Sequence, residues 1–599
     1  MMHPECAPCP ESPVSRSHGG NRARRVPPCP RKGSALPAIL WLAISGTATL
    51  LAILSLTVSC TPAQAANRFA VAEPVWKVND CEPIPEPATF NWNRYHSFID
   101  GYWLRPLDDV FSMSPGSPAE DINSFEEVPA SSWFTPRIGR FSLSTREVEQ
   151  GNTDFPSIDR SKPLQVTAAR IDGCEPFLQV LEGSGASCIL EFDDPRFPEM
   201  RTAAAVIANR LLYAAGYNVF ECFIDEISPS DLQLAEGARK VGEFGGQSDL
   251  KGADLKKLLA KLGGNAQLRV AVSRLPAGIP KGQICDKGTR LDDANDRIAH
   301  QNRRSLRGLR ILASWLNHTR MRPDRTLDIY LQPGGYLRHY LIGLGMALGA
   351  WVQSPHPFET EGQEPYWDMG TWTKNLLMFG FGKTYEPAQE ASPFRGVGIF
   401  DSHGFDPLAW RPAYGFEPFR RMSWADAFWG ARLVAPFSEE QIHAAVRAGA
   451  LSDPDAAAFL AGTLIERRDR IALAWFAKLN AADRFQILCP TGGRCTLVFE
   501  DLGVACGVRQ SGDIQYVMVF TLPETGETLG YQSRSGHNLE FDLAPFLPSP
   551  WLHRKDPCRY GCAAIRCYDY RGRPLDGETR VHIFFDADKG PRLIGIERI

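Results

Sequence analysis

The sequence predicts an α+β chain in which a strand-rich stretch leads to a helical one and a second strand-rich stretch follows. Three observations predict it. Apolar residues alternate with polar or small ones from Leu164 and on both sides of Gly183–Ser187. Residues 201–215, 303–316, 424–434, 439–448 and 454–479 carry apolar positions at helical spacing. From Phe485 to Ile599, short apolar runs lie between Gly, Pro and Asp turns. The chain has 599 residues, 44% apolar and 22% charged. Its 52 Gly and 46 Pro make about 16%, below the ~25–30% of a low-complexity chain.

Charge excludes one class of function. Residues 1–60 hold six Lys/Arg and two acids, which leaves 59 basic and 67 acidic residues beyond them, a formal charge of −8. Such a body has no global electrostatic reason to hold nucleic acid.

Leu36 to Val58 runs 23 residues without a charge, behind a basic segment and ahead of small residues. That is the pattern of an export signal, long enough to span a bilayer. Three endings stay open. Leu56-Thr57-Val58-Ser59-Cys60 resembles a lipobox with Cys60 as the lipidated residue. Ala63-Gln64-Ala65 offers a signal-peptidase site. An uncleaved anchor is the third. The expected location is therefore the cell envelope, either membrane-anchored through lipid or helix or periplasmic, with an envelope protein or glycan as partner.

Eleven cysteines lie beyond Cys60. In an oxidising compartment they are expected as disulfides, with Cys174–Cys188 and Cys489–Cys495 placed across short turns. Cys558, Cys562 and Cys567 lack the paired spacing of a zinc site, so no metal is expected there. An odd count leaves a free thiol.

The expected organisation is a signal or anchor region at 1–65, an extended segment at 66–160, a β-rich lobe at 161–300, a helical lobe at 301–484 and a β-sandwich at 485–599. In the extended segment Trp133 and Phe134 are expected to plug a groove of the same chain. The β-rich lobe reads strand, strand, strand, helix, strand: Leu164–Ala168, Phe177–Glu182, Cys188–Phe192, Arg201–Ala215 and Tyr217–Ile224. Ala253–Leu262 is a further helix. The acidic run Asp292–Asp296 lacks the Gly and distal Glu of a calcium loop. Arg303–Leu316 leads through Asn317-His318 and a polar loop to two strands around Pro333-Gly334-Gly335, ending in Gly343-Leu344-Gly345. Capping boxes are expected at Ser438/Gln441 and Ser452/Asp455.

This order resembles a divergent bacterial protein-kinase-like core, similar to HipA-type and CotH-type kinases. The segments ILEFDDPRFPEMRTAAAVIANRLLYAAGYNV, RRSLRGLRILASWLNHTRMRPDRTLDIY and LRHYLIGLGMALGA also resemble an uncharacterised family of exported bacterial proteins. The resemblance covers roughly residues 125–480 and implies a two-lobed fold. It implies a strand lysine on the nucleotide phosphates, a helix glutamate positioning it, a loop Asp for the acceptor proton, and an Asn and an Asp on magnesium. This chain departs at each place. Glu191 stands for the lysine and Ala205 for its partner. Thr319 and Arg320 stand for the loop acids, Arg325 for the Asn and Gly343 for the metal-binding Asp. His318, Asp328 and Gly345 remain.

A cation about 5 Å from a phosphate charge, at an effective dielectric near 20, contributes roughly 3 kcal/mol, so Glu191 there means a swing of about 6 kcal/mol. That is on the order of four decades in affinity. No cofactor is therefore expected, and the chain reads as an exported scaffold without phosphotransfer. The alternative is an envelope enzyme using His318, Asp324 and Asp328. Arg320 and Arg325 could bind an anion, and Asp324 and Asp328 could hold a cation between them. On a plain reading, Arg320 and Arg325 are solvated loop residues, Asp324 closes a turn, Asp328 caps the hairpin, and His339 and His582 are packed in strands.

Overall fold

The computed structural model describes residues 69, 73–90, 117–171, 175–242, 246–264, 267–350, 392–413, 415–490, 494–523, 526–536, 539–546, 560–586 and 590–599. The chain divides into two units, Met1–Ala65 and Ala66–Ile599, and every described residue belongs to the second. Cys60, the Leu36–Val58 segment, Cys174 and Cys558 lie outside the described residues. Among the described residues, no helix is long and apolar enough to cross a membrane.

The fold is α+β. The segment expected to be merely extended contains β1 (Arg137–Phe141) and α1 (Thr145–Gln150). Ser144 and Glu147 cap α1 reciprocally, a signal present in the sequence as Ser-x-x-Glu. Ahead of them, Trp133 and Phe134 are buried, as their aromatic character requires. Phe134 stands against Gly216, where a Cβ would meet its ring at 2.4 Å.

A seven-stranded sheet follows. Its strands are β2 (Leu164–Arg170), β3 (Phe177–Leu181), β4 (Ser187–Phe192), β5 (Glu221–Ile227), β6 (Leu232–Val241), β7 (Gln247–Asp249) and β8 (Leu268–Arg274). They lie in the order β5-β8-β4-β3-β2-β6-β7. Helix α2 (Met200–Ala215) connects β4 to β5, and α3 (Gly252–Lys261) precedes β8. Period-two burial in β4 sends Cys188, Leu190 and Phe192 into a core shared with Leu255 and Leu258 of α3. The opposite pleat leaves Glu191 beside Ala271 of β8.

Helix α2 is buried on nearly every side. Ala205 and Val206 meet Cys222 and Ala271 of the sheet, while Ala204, Ile207, Ala208 and Leu211 join the core of the helical region. Its alanines let two layers approach one helix closely.

Past β9 (Gly278–Pro280), the helical region opens with α4 (Arg304–Trp315). The hairpin β10 (Thr326–Leu331) and β11 (Leu337–Leu341) adds β9 as a third strand, in the order β11-β10-β9. Helices α5 (Glu417–Arg420), α6 (Trp424–Val434), α7 (Glu439–Ala448) and α8 (Pro454–Phe476) complete it. The Ser438/Gln441 box forms, but α8 is capped by Asp453 rather than by Ser452, because Pro454 takes the first helical position. Helices α4 and α6 cross at paired glycines: a Cβ on Gly308 would meet the Trp429 ring at 2.5 Å, and one on Gly430 would meet the Gly308 oxygen at 2.7 Å. Fully buried Arg467 donates to the carbonyls of Ser314, Trp315 and Asp401, closing the C-terminal end of α4.

The last region has two antiparallel sheets. β12 (Ala482–Leu488), β13 (Thr496–Asp501) and β16 (Glu540–Asp542) form one. β14 (Ile514–Thr521), β15 (Thr528–Ser535), β17 (Tyr560–Asp569), β18 (Thr579–Asp586) and β19 (Gly590–Arg598) form the other, and α9 (Leu502–Ala505) follows β13. Leu497, Phe499 and Phe541 of the first sheet and Tyr516, Met518, Ile565 and Ile583 of the second share one apolar cluster. Cys489 and Cys495 are disulfide-bonded as expected. Cys188 is a correction: it is a free, buried thiol in the sheet core.

The glycine crossing is testable. Gly308→Val forces a side chain into the Trp429 ring and is expected to cost about 1–3 kcal/mol, read as a lowered denaturant midpoint at unchanged slope. An unchanged midpoint would show that the helices are not in close contact there.

Candidate functional site

Most of the singled-out positions meet where the sheet, α2 and the turn after β11 come together. Gly343 and Gly345 belong to that turn, which continues into a short 3-10 segment, Leu344–Met346. A Cβ on Gly345 would stand 3.0 Å from a Glu191 carboxylate oxygen, 3.3 Å from the Arg201 carbonyl oxygen and 3.8 Å from the Ala205 Cβ. A Cβ on Gly343 would stand 2.7 Å from Nη1 of Arg325, and Gly343 has φ +68°. The missing side chain at Gly343 is thus the space that Arg325 fills.

Helix α2 is aimed here by its start. Asp193 accepts from the backbone N–H groups of Arg201 and Thr202 at 2.8 and 2.9 Å and from the Thr202 hydroxyl at 2.7 Å. Arg269 donates to Thr202 and, from its other nitrogens, to the carbonyls of Gly449 and Ala450. Those bonds tie the sheet to the loop after α7.

Arg325 is buried, as is Arg320, which corrects the reading of both as solvated loop residues. Asp324 and Arg325 sit in a 3-10 turn, Pro323–Arg325, after α4. Arg325 forks onto Glu175, Nη1 to Oε1 at 2.9 Å and Nη2 to Oε2 at 3.0 Å. Asp324 closes its turn by accepting from Nε and Nη2 of Arg322 at 2.6 and 2.7 Å. His318 is 2% exposed and neither of its ring nitrogens is hydrogen-bonded.

The charges follow from that packing. Burial opposes ionisation of Glu175, but the Arg325, Arg201 and Arg320 guanidiniums outweigh it and hold the carboxyl well below its ordinary range. Glu191 goes the other way. Burial raises its carboxyl, Arg201 only partly compensates, and the Glu175 charge adds to the rise. Burial and then Arg325 pull His318 down to about 3, so its imidazole is neutral at pH 7.

Asp328 does not join this group through any of its bonds. It lies within β10, not at the end of the hairpin, and its carboxylate binds Nη1 of Arg290 at 3.0 Å and Nδ1 of His339 at 2.7 Å. Trp133 stacks on His339 with ring centroids 3.5 Å apart. Beside them Asp296 accepts from His300 and Arg303 at 2.7 and 2.8 Å. The acidic run therefore serves local ion pairs and turns, and among the described residues no cluster suited to a metal ion is present. His582 is packed under Phe69, centroids 4.0 Å apart.

Glu175 and Arg201 were not singled out in the sequence. Glu175 is marked there only by preceding Pro176, and Arg201 only by opening a helix. No family model, curated protein or solved structure matches the chain.

The buried imidazole makes a pH prediction. The folded value of His318 is near 3 while an unfolded histidine sits near 6.5. Between those values the unfolded state binds the extra proton, so this group's share of stability is full above about pH 6.5 and is lost as pH falls. The loss is about 1.4 kcal/mol per pH unit. His318→Asn removes the titration, so its stability should fall more shallowly than wild type between pH 6 and pH 4 in denaturant titrations. Parallel curves would mean that His318 is solvated.

Proposed function

We propose that this protein is a non-catalytic, kinase-like scaffold of the cell envelope, exported through its N-terminal segment and held at the membrane by lipid on Cys60 or by that segment. The reading takes residues 161–300 as the first lobe, residues 301–484 as the second and residues 485–599 as an appended β-sandwich. Its partner is an envelope protein or glycan.

One observation carries it: Arg325 lies against Gly343 and is locked onto Glu175. In an active kinase this neighbourhood holds magnesium through an Asn and an Asp, with a strand lysine on the phosphates. Here the Asn position is a guanidinium, the Asp position is the glycine that admits it, and the lysine position is Glu191. A cation already occupies the metal's place and a carboxylate has replaced the phosphate's cation. Three antiparallel strands followed by a helix, with β8 and β5 added on the free side of β4, support the lobe assignment, and β6 and β7 extend the other edge.

Burial lessens the repulsion expected from Glu191, since a carboxyl held toward its neutral form carries less charge. It still leaves a carboxyl where the strand lysine would stand, so the attraction that lysine supplies is absent. The enzyme reading is disfavoured because Asp328 is committed to Arg290 and His339.

Isothermal titration of the full chain with ATP and magnesium should give no binding at micromolar concentration. Saturable micromolar heat, lost in Arg325→Ala, would overturn the reading and place a nucleotide at this junction.

A further inference from the structure

The carboxylate of Glu175 sits among cations. Besides the fork from Arg325, Nη1 of Arg170 is 3.7 Å from Oε2, and Arg201 and Arg320 act on the same group electrostatically. Glu175 comes just before β3, and the guanidiniums come from β2, α2 and the loop after α4. Residues far apart in sequence thus converge on one small acidic group, an arrangement that matches how planar guanidiniums recognise oxyanions.

A second observation points to an occupant other than Glu175. His318 is electrostatically coupled to Arg325, Glu175, Asp324 and Arg320, is almost wholly buried, and makes no hydrogen bond from either ring nitrogen. A buried ring N–H without an acceptor is unfavourable, and natural interiors rarely leave one. Glu175 engages the Arg325 fork with both of its oxygens and does not bond the imidazole. A tetrahedral oxyanion could engage the same fork and still present further oxygens toward the imidazole.

We propose that this arginine nest is a metal-independent binding site for a phosphoryl group, and that Glu175 occupies it as a tethered stand-in. The assignment rests on reading the junction as a kinase-like site without phosphotransfer, and it adds the ligand class that such a site takes. Binding is an exchange in which the dianion enters, the carboxylate leaves, and Arg325 keeps a forked partner throughout. Because the stand-in is covalently attached, it competes at high effective concentration and masks the site in the unaltered chain. No bond is made or broken.

The test uses the full chain, Glu175→Ala and Glu175→Gln, in buffer with EDTA and without magnesium. The probes are inorganic phosphate and glycerol 3-phosphate, added against chloride at equal ionic strength and followed by thermal shift and titration calorimetry. Glu175→Ala should show saturable stabilisation at an apparent Kd at least tenfold below that of wild type. Adding His318→Ala should weaken that binding about tenfold. Tighter binding of glycerol 3-phosphate assigns the group to a larger phosphomonoester, and equal binding assigns it to the free anion. Phosphate also stabilises proteins non-specifically by exclusion from their surface, which gives an unsaturated rise of equal slope in every variant. That pattern, or no calorimetric signal in either Glu175 variant, overturns the proposal. So does failure of both variants to fold with phosphate present. EDTA separates this outcome from the ATP titration, whose result it leaves untouched.

Discussion

The forked pair between Arg325 and Glu175 is the interaction on which the rest of the junction depends. It joins the segment before β3 to the turn after α4, and the Arg325 guanidinium lies against Gly343, where a Cβ would stand 2.7 Å from Nη1. A buried ion pair is weak evidence for net stability, since removing two charges from water offsets most of their attraction. Breaking such a pair from one side is a different matter, because the remaining charge stays buried. The pair therefore constrains which residues can surround it more than it adds to folding. A carboxylate at position 343 would compete with Glu175 for the same guanidinium and meet Arg325 at close range.

Helix α2 connects that electrostatic arrangement to the fold. Its alanines let the sheet on one side and the helical region on the other pack against the same backbone, with Arg201 and Ala205 brought beside Glu191 and Gly345. Asp193 fixes the start of the helix, and Arg269 carries the tie on to the loop after α7. A helix held at both faces and at its first turn has little freedom to swing.

Local signals in the sequence were legible, and long-range ones were not. Helices α6 and α7 match their expected spans because Ser423 and Ser438 cap runs with clear helical spacing. The hairpin around Pro333-Gly334-Gly335 was equally plain, as was the Cys489–Cys495 pair across a short turn. β8 was missed although Leu268, Val270 and Val272 alternate, and β6 was missed because Gly237 and the charged residues around it interrupt its alternation and most of the strand is exposed or half exposed. The candidate site was half readable. Resemblance located Glu191, Ala205, Arg325 and Gly343, and these do share one junction. It could not reveal Glu175, 150 residues from Arg325 in sequence, nor that Arg320 and Arg325 are buried, because burial of a charge depends on a partner that no local pattern names. Asp328 misled for the same reason: a strand position beside a Gly turn reads as a cap until Arg290 and His339 are placed against it.

The central claim, that Glu175 and Arg325 act as one unit filling the junction, is tested most directly by a double-mutant cycle on folding stability. Glu175→Gln, Arg325→Met and the double variant would be compared with wild type by denaturant unfolding at pH 7. Groups in direct contact show interaction energies of about 0.5–3 kcal/mol, and a forked buried pair should fall in the upper half of that range, with the double variant more stable than the two single losses together imply. Additive losses, with a coupling near zero, would contradict the account.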